Sequence, residues 1–190
     1  ADKVIAVTGA GRGIGRAIAL LCAREGARVV VNDFGSSVTG EGSDAEPANS
    51  VVSEIRAAGG AALANLADVT DPAGAESIIA DAIGGFGTID AVVNNAGFVR
   101  DAMFHKMSVR DWRQVVDVHL NASFYVSRAA ANHFREQESG VYVHLTSGAG
   151  LFGSIGQANY AAAKLGVVGL STSIALDMQR FSVRSNCIAP

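Results

Sequence analysis

Short apolar runs alternate with longer stretches of helical period along the chain. Most of the short runs are continuously apolar, which is typical of strands that are covered on both faces of a sheet. We therefore predict six strands of one parallel sheet. Their expected bounds are residues 3–8, 28–33, 61–66, 89–94, 141–146 and 182–189.

The stretches between these strands place apolar residues three and four positions apart and predict helices. The expected helices span residues 13–25, 46–58, 71–86, 108–137 and 159–180. In the first helix, the stripe expected to face the sheet consists of Ile14, Ala17, Ile18, Leu21 and Cys22. Repeated strand–helix alternation predicts an α/β protein with a doubly wound Rossmann fold, whose parallel sheet carries helices on both faces. Residues 1–190 are expected to form one domain.

Composition narrows the possible functions. The chain has 190 residues, of which 49% are hydrophobic and 17% are charged, as in globular proteins. A net charge of -3 without a dense basic run argues against a nucleic-acid-binding surface. No apolar run is expected to span a bilayer, so we expect no membrane partner. Cys22 and Cys187 form neither a disulfide framework nor a metal motif, so we expect no metal site and a reducing, cytoplasmic location.

A glycine-rich run follows the first predicted strand and opens the first predicted helix. It reads TGAGRGIG at residues 8–15. In a doubly wound fold this is where a pyrophosphate binds to free helix N–H groups, and glycines allow the close backbone approach. The sequence therefore predicts a dinucleotide cradle. Its expected members are Gly9, Arg12, Gly13, Ile14 and Gly15.

The end of the second strand bears on the choice of cofactor. Asp33 lies 18 residues after Gly15. A carboxylate at this place can accept hydrogen bonds from both adenosine-ribose hydroxyls and repels a 2′-phosphate. Arg12 could instead hold such a phosphate. We predict NAD(H), because the carboxylate is a direct electrostatic obstacle, and keep NADP(H) as the alternative.

The stretch NYAAAK, residues 159–164, places a tyrosine four residues before a lysine. Residues at this spacing share one face of a helix. Hydride transfer at a carbinol carbon must be matched by proton transfer at the oxygen, and a tyrosine can carry that proton. The ordinary tyrosine pKa of about 10 is high for this task, and a nearby ammonium stabilises the phenolate. Alone the spacing is common, but after the glycine cradle it predicts an acid/base pair.

Four motifs now stand in order along the chain. They are TGxxxGIG at residues 8–15, NNAG at 94–97, Ser147, and Tyr160 with Lys164. With these motifs the chain resembles the short-chain dehydrogenase/reductase family over its whole length. The resemblance implies an NAD(P)-dependent oxidoreductase in which Tyr160 is the acid/base and Lys164 stabilises its phenolate and binds the nicotinamide ribose. Ser147 is expected to hydrogen-bond the substrate oxygen, with a plain turn serine as the alternative.

The same resemblance implies further cofactor contacts. Asp68 is expected to contact the adenine amino group and Val69 to pack on the ring, although Asp68 could instead cap a helix. Asn94 is expected to tie strands together. The other cofactor-binding residues that the resemblance implies are Asn95, Ala96, Gly97 and Pro190, together with Tyr160 and Lys164 themselves.

One position departs from the family pattern. Many members carry a catalytic asparagine within V-N-L, and this chain has Val118-His119-Leu120 there. His119 could hold the same water and pass protons from Lys164 to solvent. It could equally be an ordinary helix histidine, and both interpretations stay open.

Several segments bear on the substrate. VVVNDFG, the loop at 34–48 and VHLNASF resemble (3R)-hydroxyacyl-CoA dehydrogenases, and NNAG followed by Arg100-Asp101 also resembles 3-oxoacyl-carrier-protein reductases. Both groups interconvert a secondary alcohol and a ketone in a 3-hydroxy or 3-oxo acyl thioester, which implies fatty acid metabolism. A steroid or other alcohol dehydrogenase, an epimerase or dehydratase, and a dinucleotide-binding regulator are alternatives. Candidate pocket residues are Phe98, Val99, Leu151, Phe152 and Gln157.

The resemblance also bears on the oligomeric state of the protein and on whether the sequence is a whole protein. Family members pair through the helices at 108–137 and 159–180, which implies a homodimer or homotetramer. The sequence stops at Pro190, immediately after a strand. We expect the C-terminal substrate lobe of the parent protein to be missing.

Overall fold

A six-stranded parallel sheet forms the centre of the molecule in a computed structural model that describes residues 2–37 and 40–190. The strands lie in the order β3-β2-β1-β4-β5-β6. The first three strands therefore run from the centre of the sheet to one edge and the last three to the other edge, and the strand order switches between β1 and β4. The predicted doubly wound α/β fold is confirmed. The strands are β1 Val4–Thr8, β2 Arg28–Asn32, β3 Ala61–Asn65, β4 Ala91–Asn94, β5 Gly140–Leu145 and β6 Val183–Ile188.

Helices cover both faces of this sheet. One hydrophobic core lies between the sheet and α1 and α2, and a second lies between the sheet and α3, α5 and α7. Side chains of successive strand residues enter opposite cores, as Ala6 and Val7 of β1 do. The helices are α1 Gly13–Arg24, α2 Glu46–Ala57, α3 Pro72–Phe86, α4 Val109–Val116, α5 Ala122–Glu136, α6 Gly148–Phe152 and α7 Ala158–Met178.

Local sequence signals set the ends of α3. Asp71 accepts a hydrogen bond from the Ala73 N–H at 3.2 Å, and Pro72 occupies the first helical position, where its missing N–H costs nothing. Gly87 ends the helix in the left-handed conformation, with φ of +82°. The helix therefore begins and ends where its capping residues dictate.

The face of α1 that meets the sheet differs from the predicted stripe. Gly15 and Ala19 are buried, whereas Ile14 is 52% and Leu21 50% exposed. A Cβ atom at Gly15 would overlap the Gly9 carbonyl. The helix comes closest to the sheet through its smallest residues because they allow this approach. Ile18 and Cys22 of the predicted stripe are partly buried against the same core, whereas Ile14 and Leu21 are not.

The predicted long helix at 108–137 is interrupted. Between α4 and α5 the chain forms a wide π-helical turn, Asp117–Asn121. The Ser123 hydroxyl donates to the His119 carbonyl at 2.6 Å and so bonds a carbonyl inside the wide turn. Single π turns within helices are frequent at functional sites. Here the turn contains the residue that departs from the family pattern.

One expectation about apolar runs needs correction. By length and composition alone, the helical stretch Ala158–Phe181 is long and apolar enough to cross a membrane. Its inner face, however, packs on β5 and β6, and Lys164 is buried on that face. A helix that packs on the core of a domain can meet the same criterion, and α7 packs in this way on its inner face, with 22% of the stretch buried.

Candidate active site

Two adjoining clefts lie at the carboxyl edge of the sheet, where ligands bind in open α/β folds. The larger has a volume of about 490 Å³ and extends from the glycine turn after β1 to the loops after β3 and β4. The smaller, of about 170 Å³, is lined by His119, Tyr160 and Lys164. The two clefts share four lining residues: Ile14, Asn95, Gly97 and Phe98.

The NNAG segment holds the glycine turn in place. The Thr8 hydroxyl accepts the N–H groups of Asn95 and Ala96, each at 3.1 Å. The Asn95 amide donates in return to the carbonyls of Thr8 and Gly9, both at 3.0 Å. Gly9 has a φ of +61°, and a Cβ there would lie 2.7 Å from the Ala96 Cα. The turn therefore needs glycine for both conformation and space.

The start of α1 is suited to an anion. Among the described residues, no side chain caps α1, and the same is true of α2, whereas side chains cap α3, α4 and α6. The N-cap residue of α1, Arg12, donates instead to the Ser36 carbonyl at 3.1 Å. The first-turn N–H groups of α1 consequently remain available to a pyrophosphate. Together with the space beside Gly9 and Gly13, this fits a dinucleotide cofactor.

Asp33 is fixed at the edge of the larger cleft by backbone groups. Its Oδ2 accepts the Gly11 N–H and its Oδ1 accepts the Gly35 N–H, both at 2.7 Å. A carboxylate has about four acceptor positions, so each oxygen can accept a further hydrogen bond. These two backbone hydrogen bonds therefore hold the negatively charged Asp33 carboxylate in one orientation at the edge of the cleft.

Asp68 and Val69 line the same cleft. Asp68 Oδ1 accepts from the N–H and the hydroxyl of Thr70, both at 2.8 Å. The helix that follows is capped by Asp71, so the helix-capping alternative for Asp68 is wrong. Val69 is 7% exposed and offers an apolar surface next to the carboxylate.

Lys164 lies on α7 one turn after Tyr160, with its Nζ 5.7 Å from the centre of the Tyr160 ring. The Lys164 Nζ donates to the Leu145 carbonyl at 2.5 Å, and the residue is 5% exposed. Burial lowers the pKa of Lys164 to about 8, against an opposing effect of Cys187. The Lys164 ammonium thus loses its proton at a lower pH than a free lysine, yet remains mostly charged at neutral pH.

The π turn places His119 against this pair. His119 Nε2 donates to the Phe98 carbonyl at 2.9 Å, which leaves Nδ1 as an acceptor. Nδ1 is buried and finds no hydrogen-bond partner among the described residues. Burial, reinforced by Lys164, lowers the pKa of His119 to about 3. A Cβ at Gly97 would overlap the His119 ring, so glycine at 97 makes room for it.

Ser147 stands at the N-terminus of α6. Its Oγ accepts the Ala149 N–H at 3.2 Å, which is the local role of the turn-serine alternative. Its own O–H group can still donate. Thr146 lines the smaller cleft, whereas Ser147 is not in contact with it. The structure brings Tyr160, Lys164 and His119 together in one cleft, and Ser147 directly follows Thr146 of its lining.

Some of the other predicted site residues line the smaller cleft and others lie outside both clefts. Pro190 lines the smaller cleft, as do Phe98 and Val99. Leu151 and Phe152 are 48% and 89% exposed and line neither cleft. The Gln157 amide donates to both Asp101 carboxylate oxygens at 3.2 Å and joins two loops.

Two buried polar residues bind structural partners beside the site. Asn94 lies within 3.2 Å of His144 Nδ1 and donates to the Ser127 hydroxyl at 2.9 Å, so it ties β4 to β5 and α5 as expected. Sequence reasoning missed Asn159, whose Oδ1 accepts the Tyr160 N–H at 2.8 Å. Asparagine at the start of a helix was the available signal, because its side chain often bonds free N–H groups there.

Comparison with known proteins gives one consistent result. The family model described as short chain dehydrogenase matches residues 3–190. A Mycobacterium tuberculosis protein with the provisional description of short-chain type dehydrogenase/reductase is 50% identical over 189 residues, and the chain spans 66% of its length. A hydroxyacyl-CoA dehydrogenase of the same organism is 43% identical over 200 residues; the alignment covers 99% of the chain and 60% of that enzyme.

A solved structure agrees with these matches. It is the crystal structure of a short chain dehydrogenase from Mycobacterium avium, with a TM-score of 0.92 and 46% sequence identity. The similarity covers 99% of this chain and 67% of the other.

Proposed function

The chain belongs to the short-chain dehydrogenase/reductase family, and from this premise we propose that it is an NAD(H)-dependent enzyme that interconverts a 3-hydroxyacyl and a 3-oxoacyl thioester. The family makes it an oxidoreductase that uses a nicotinamide cofactor and a small-molecule substrate. The finer assignment rests on one observation above all. Tyr160 and the buried Lys164 line a cleft that adjoins the glycine turn.

The larger cleft fits the cofactor. The uncapped start of α1 would hold the pyrophosphate, and Asp68 and Val69 would receive the adenine. Asp33 would accept the ribose hydroxyls and oppose a 2′-phosphate, which is the basis for choosing NAD(H). When bound, the nicotinamide supplies the hydride acceptor in one direction and the hydride donor in the other.

The side chains of the protein transfer the proton. In the oxidative direction, the Tyr160 phenolate takes the proton of the substrate hydroxyl as the C–H bond gives up its hydride and the C=O bond forms. In the reductive direction the phenol returns that proton to the oxygen. Lys164, held by the Leu145 carbonyl, stabilises the phenolate by its charge. The Ser147 O–H group would donate to the substrate oxygen.

His119 supports the same step without carrying charge. With a pKa of about 3 its ring is neutral at neutral pH, so an imidazolium relay is disfavoured. Its unpaired Nδ1 can accept a hydrogen bond from a water molecule beside Lys164. We therefore assign His119 the water-holding role rather than the proton-carrying one.

The acyl thioester is inferred from similarity and from the site lining. The hydroxyacyl-CoA dehydrogenase relative is similar over nearly the whole chain. Phe98 and Val99 give the smaller cleft an apolar wall. These two observations favour a fatty acyl substrate over a small polar alcohol.

A direct assay tests the proposal. Purified protein receives NAD⁺ or NADP⁺ with 3-hydroxyacyl-CoA esters, a 3-hydroxysteroid or a simple secondary alcohol, and formation of reduced cofactor is followed by absorbance. We expect the strongest signal with NAD⁺ and an acyl thioester. A product formed without net cofactor reduction would instead indicate an epimerase or dehydratase, and a strong NADP⁺ preference would refute the Asp33 assignment.

Assembly and compartment complete the proposal. The outer face of α7 leaves Leu165 53% and Leu176 64% exposed, and pairing with a second copy would cover them. We expect a homodimer or homotetramer, which sedimentation measurements can test. Cys22 and Cys187 are free thiols, in keeping with a reducing compartment such as the cytoplasm.

A further inference from the structure

The segment Phe98–Arg100 lies between the cofactor cleft and the catalytic helix. On one side it meets the loop that follows β2. A Cβ at Gly40 would lie 2.6 Å from Cε1 of Phe98, so the loop backbone rests on that ring. Arg100 Nη2 also pairs with Glu41 Oε1 at 2.9 Å. Gly40 and Phe98 both line the larger cleft, so a ligand that fills it lies against this contact.

The Arg100 side chain is largely buried and contacts several neighbouring elements. It is 13% exposed, and its guanidinium lies 5.7 Å from the centre of the Phe98 ring. A second carboxylate, Asp111 of α4, lies 3.5 Å from Nη1. Arg100 Nε is buried without a hydrogen-bond partner among the described residues. One side chain thus joins the loop after β2, the loop after β4 and α4.

On its other side the segment reaches Tyr160 by two routes. The Phe98 carbonyl accepts from His119 Nε2, and the His119 ring contacts the Tyr160 ring. The Arg100 carbonyl accepts from the Asn159 amide at 3.0 Å, and Asn159 Oδ1 accepts the Tyr160 N–H. Both the ring and the backbone of Tyr160 are therefore held, through one intermediate residue, by Phe98–Arg100.

We propose that Arg100 is a positioning residue that couples occupation of the cofactor cleft to the placement of Tyr160. A cofactor that packs against Gly40 and Phe98 restricts the loop, and the Arg100–Glu41 pair passes this restriction to the segment that holds Tyr160. Coupling of this kind is reciprocal, so an ordered Tyr160 strengthens cofactor binding in turn. The inference rests on the proposed function, which supplies both the cofactor cleft and the role of Tyr160.

Amide hydrogen exchange tests the coupling directly. Exchange in a peptide that covers residues 158–164 is measured with and without saturating NADH, in the wild type, Arg100→Met and Glu41→Gln. Arg110→Met is the matched control, because Arg110 also lies within 3.8 Å of Asp111 but is exposed. In the wild type and the control we expect NADH to slow exchange about five- to tenfold, and in Arg100→Met and Glu41→Gln less than about twofold.

Kinetics separate positioning from general stability. At saturating NAD⁺, we expect Arg100→Met to lower kcat about tenfold with little change in KM for the alcohol, and Arg100→Lys to recover part of the loss. Equal NADH protection in the wild type, Arg100→Met and Glu41→Gln would overturn the coupling and leave the proposed function intact. If the wild type does not bind NADH, as measured by NADH fluorescence, both the coupling and the proposed function are refuted. If Arg100→Met does not fold, the exposed Glu41→Gln variant decides the question alone.

Discussion

The imidazole of His119 stands edge-on to the phenol ring of Tyr160, with ring centres 5.0 Å apart and planes at 85°. The contact joins the π turn between α4 and α5 to α7, which carries Tyr160. Since His119 also donates to the Phe98 carbonyl, its ring cannot rotate without losing that bond. His119 therefore limits the positions that the Tyr160 ring can take.

We predict that His119→Leu lowers kcat about ten- to hundredfold and leaves NADH affinity unchanged, because the water acceptor is lost while the cofactor cleft is not. His119→Asn, which restores the common family residue, should retain most of the activity. Steady-state kinetics and NADH fluorescence titration check both variants. A fully active leucine variant would show that His119 only fills space.

Tyr160→Phe should reduce turnover by at least about a hundredfold, since the proton carrier is removed while the ring remains. NADH binding should stay within about twofold of the wild type, because the hydroxyl makes a small part of the cofactor contacts. Turnover and fluorescence titration on the same preparation separate the two effects. Substantial activity in this variant would contradict the proposed mechanism.

Asp33→Ser should weaken NADH binding about tenfold and improve NADPH binding, because the negative charge at the ribose is removed. Its loss also frees the N–H groups of Gly11 and Gly35, so Asp33→Asn serves as a control that keeps an acceptor without the charge. Separate titrations with NADH and NADPH measure the ratio. An unchanged ratio in both variants would place cofactor choice elsewhere.

Lys164→Met should stabilise the protein without cofactor by about 1 kcal/mol near neutral pH. The pKa of Lys164 falls from its ordinary 10.5 to about 8 on folding. Between these values the unfolded chain binds a proton that the folded chain does not, so wild-type stability rises with pH across this window. Urea unfolding should therefore show the advantage of the variant at about pH 7 and its loss near pH 10. The Leu145 carbonyl, left without its donor, limits the gain.

Acid should unfold the protein steeply. Burial holds the pKa of His119 at about 3 and that of His144 at about 4, against an ordinary 6.5. Below pH 6.5 the unfolded chain gains protons that the folded chain cannot take up, so stability falls as pH falls toward these values. With two protons the slope reaches about 2.7 kcal/mol per pH unit, and we expect His144→Gln to reduce it by about half. Unfolding at a series of pH values checks this; an unchanged slope would show that His144 is already protonated when folded.

The sheet and the glycine turn were predictable from sequence because their signals are local. Most of the strands are continuous apolar runs, and Gly9 and Gly15 mark where backbone must approach backbone. The buried face of α1 was only partly predictable from apolar spacing, which found Ile18 and Cys22 but not Gly15 and Ala19. That helix comes closest to the sheet at Gly15 and Ala19. The short distance between helix and sheet therefore mattered more than the apolar area of the side chains.

The placement of Tyr160 and Lys164 on one helix face was predictable from their i, i+4 spacing, but their surroundings were not. The contacts of Arg100 join residues 59 positions apart in sequence, and such pairs leave no periodic signal. The π turn at 117–121 adds a residue to one helical turn and changes which side chain faces Tyr160. These features depend on tertiary contacts that a single sequence does not display.

The close fit between Gly97 and the His119 ring makes sequence change at 97 depend on the residue at 119. A Cβ at 97 would occupy space that the imidazole fills, so Gly97→Ala should be tolerated only with a shorter side chain at 119. A larger residue at 97 alone therefore does not fit, whereas 119 can be made smaller while 97 stays glycine. Variation at 97 requires a compensating change at 119.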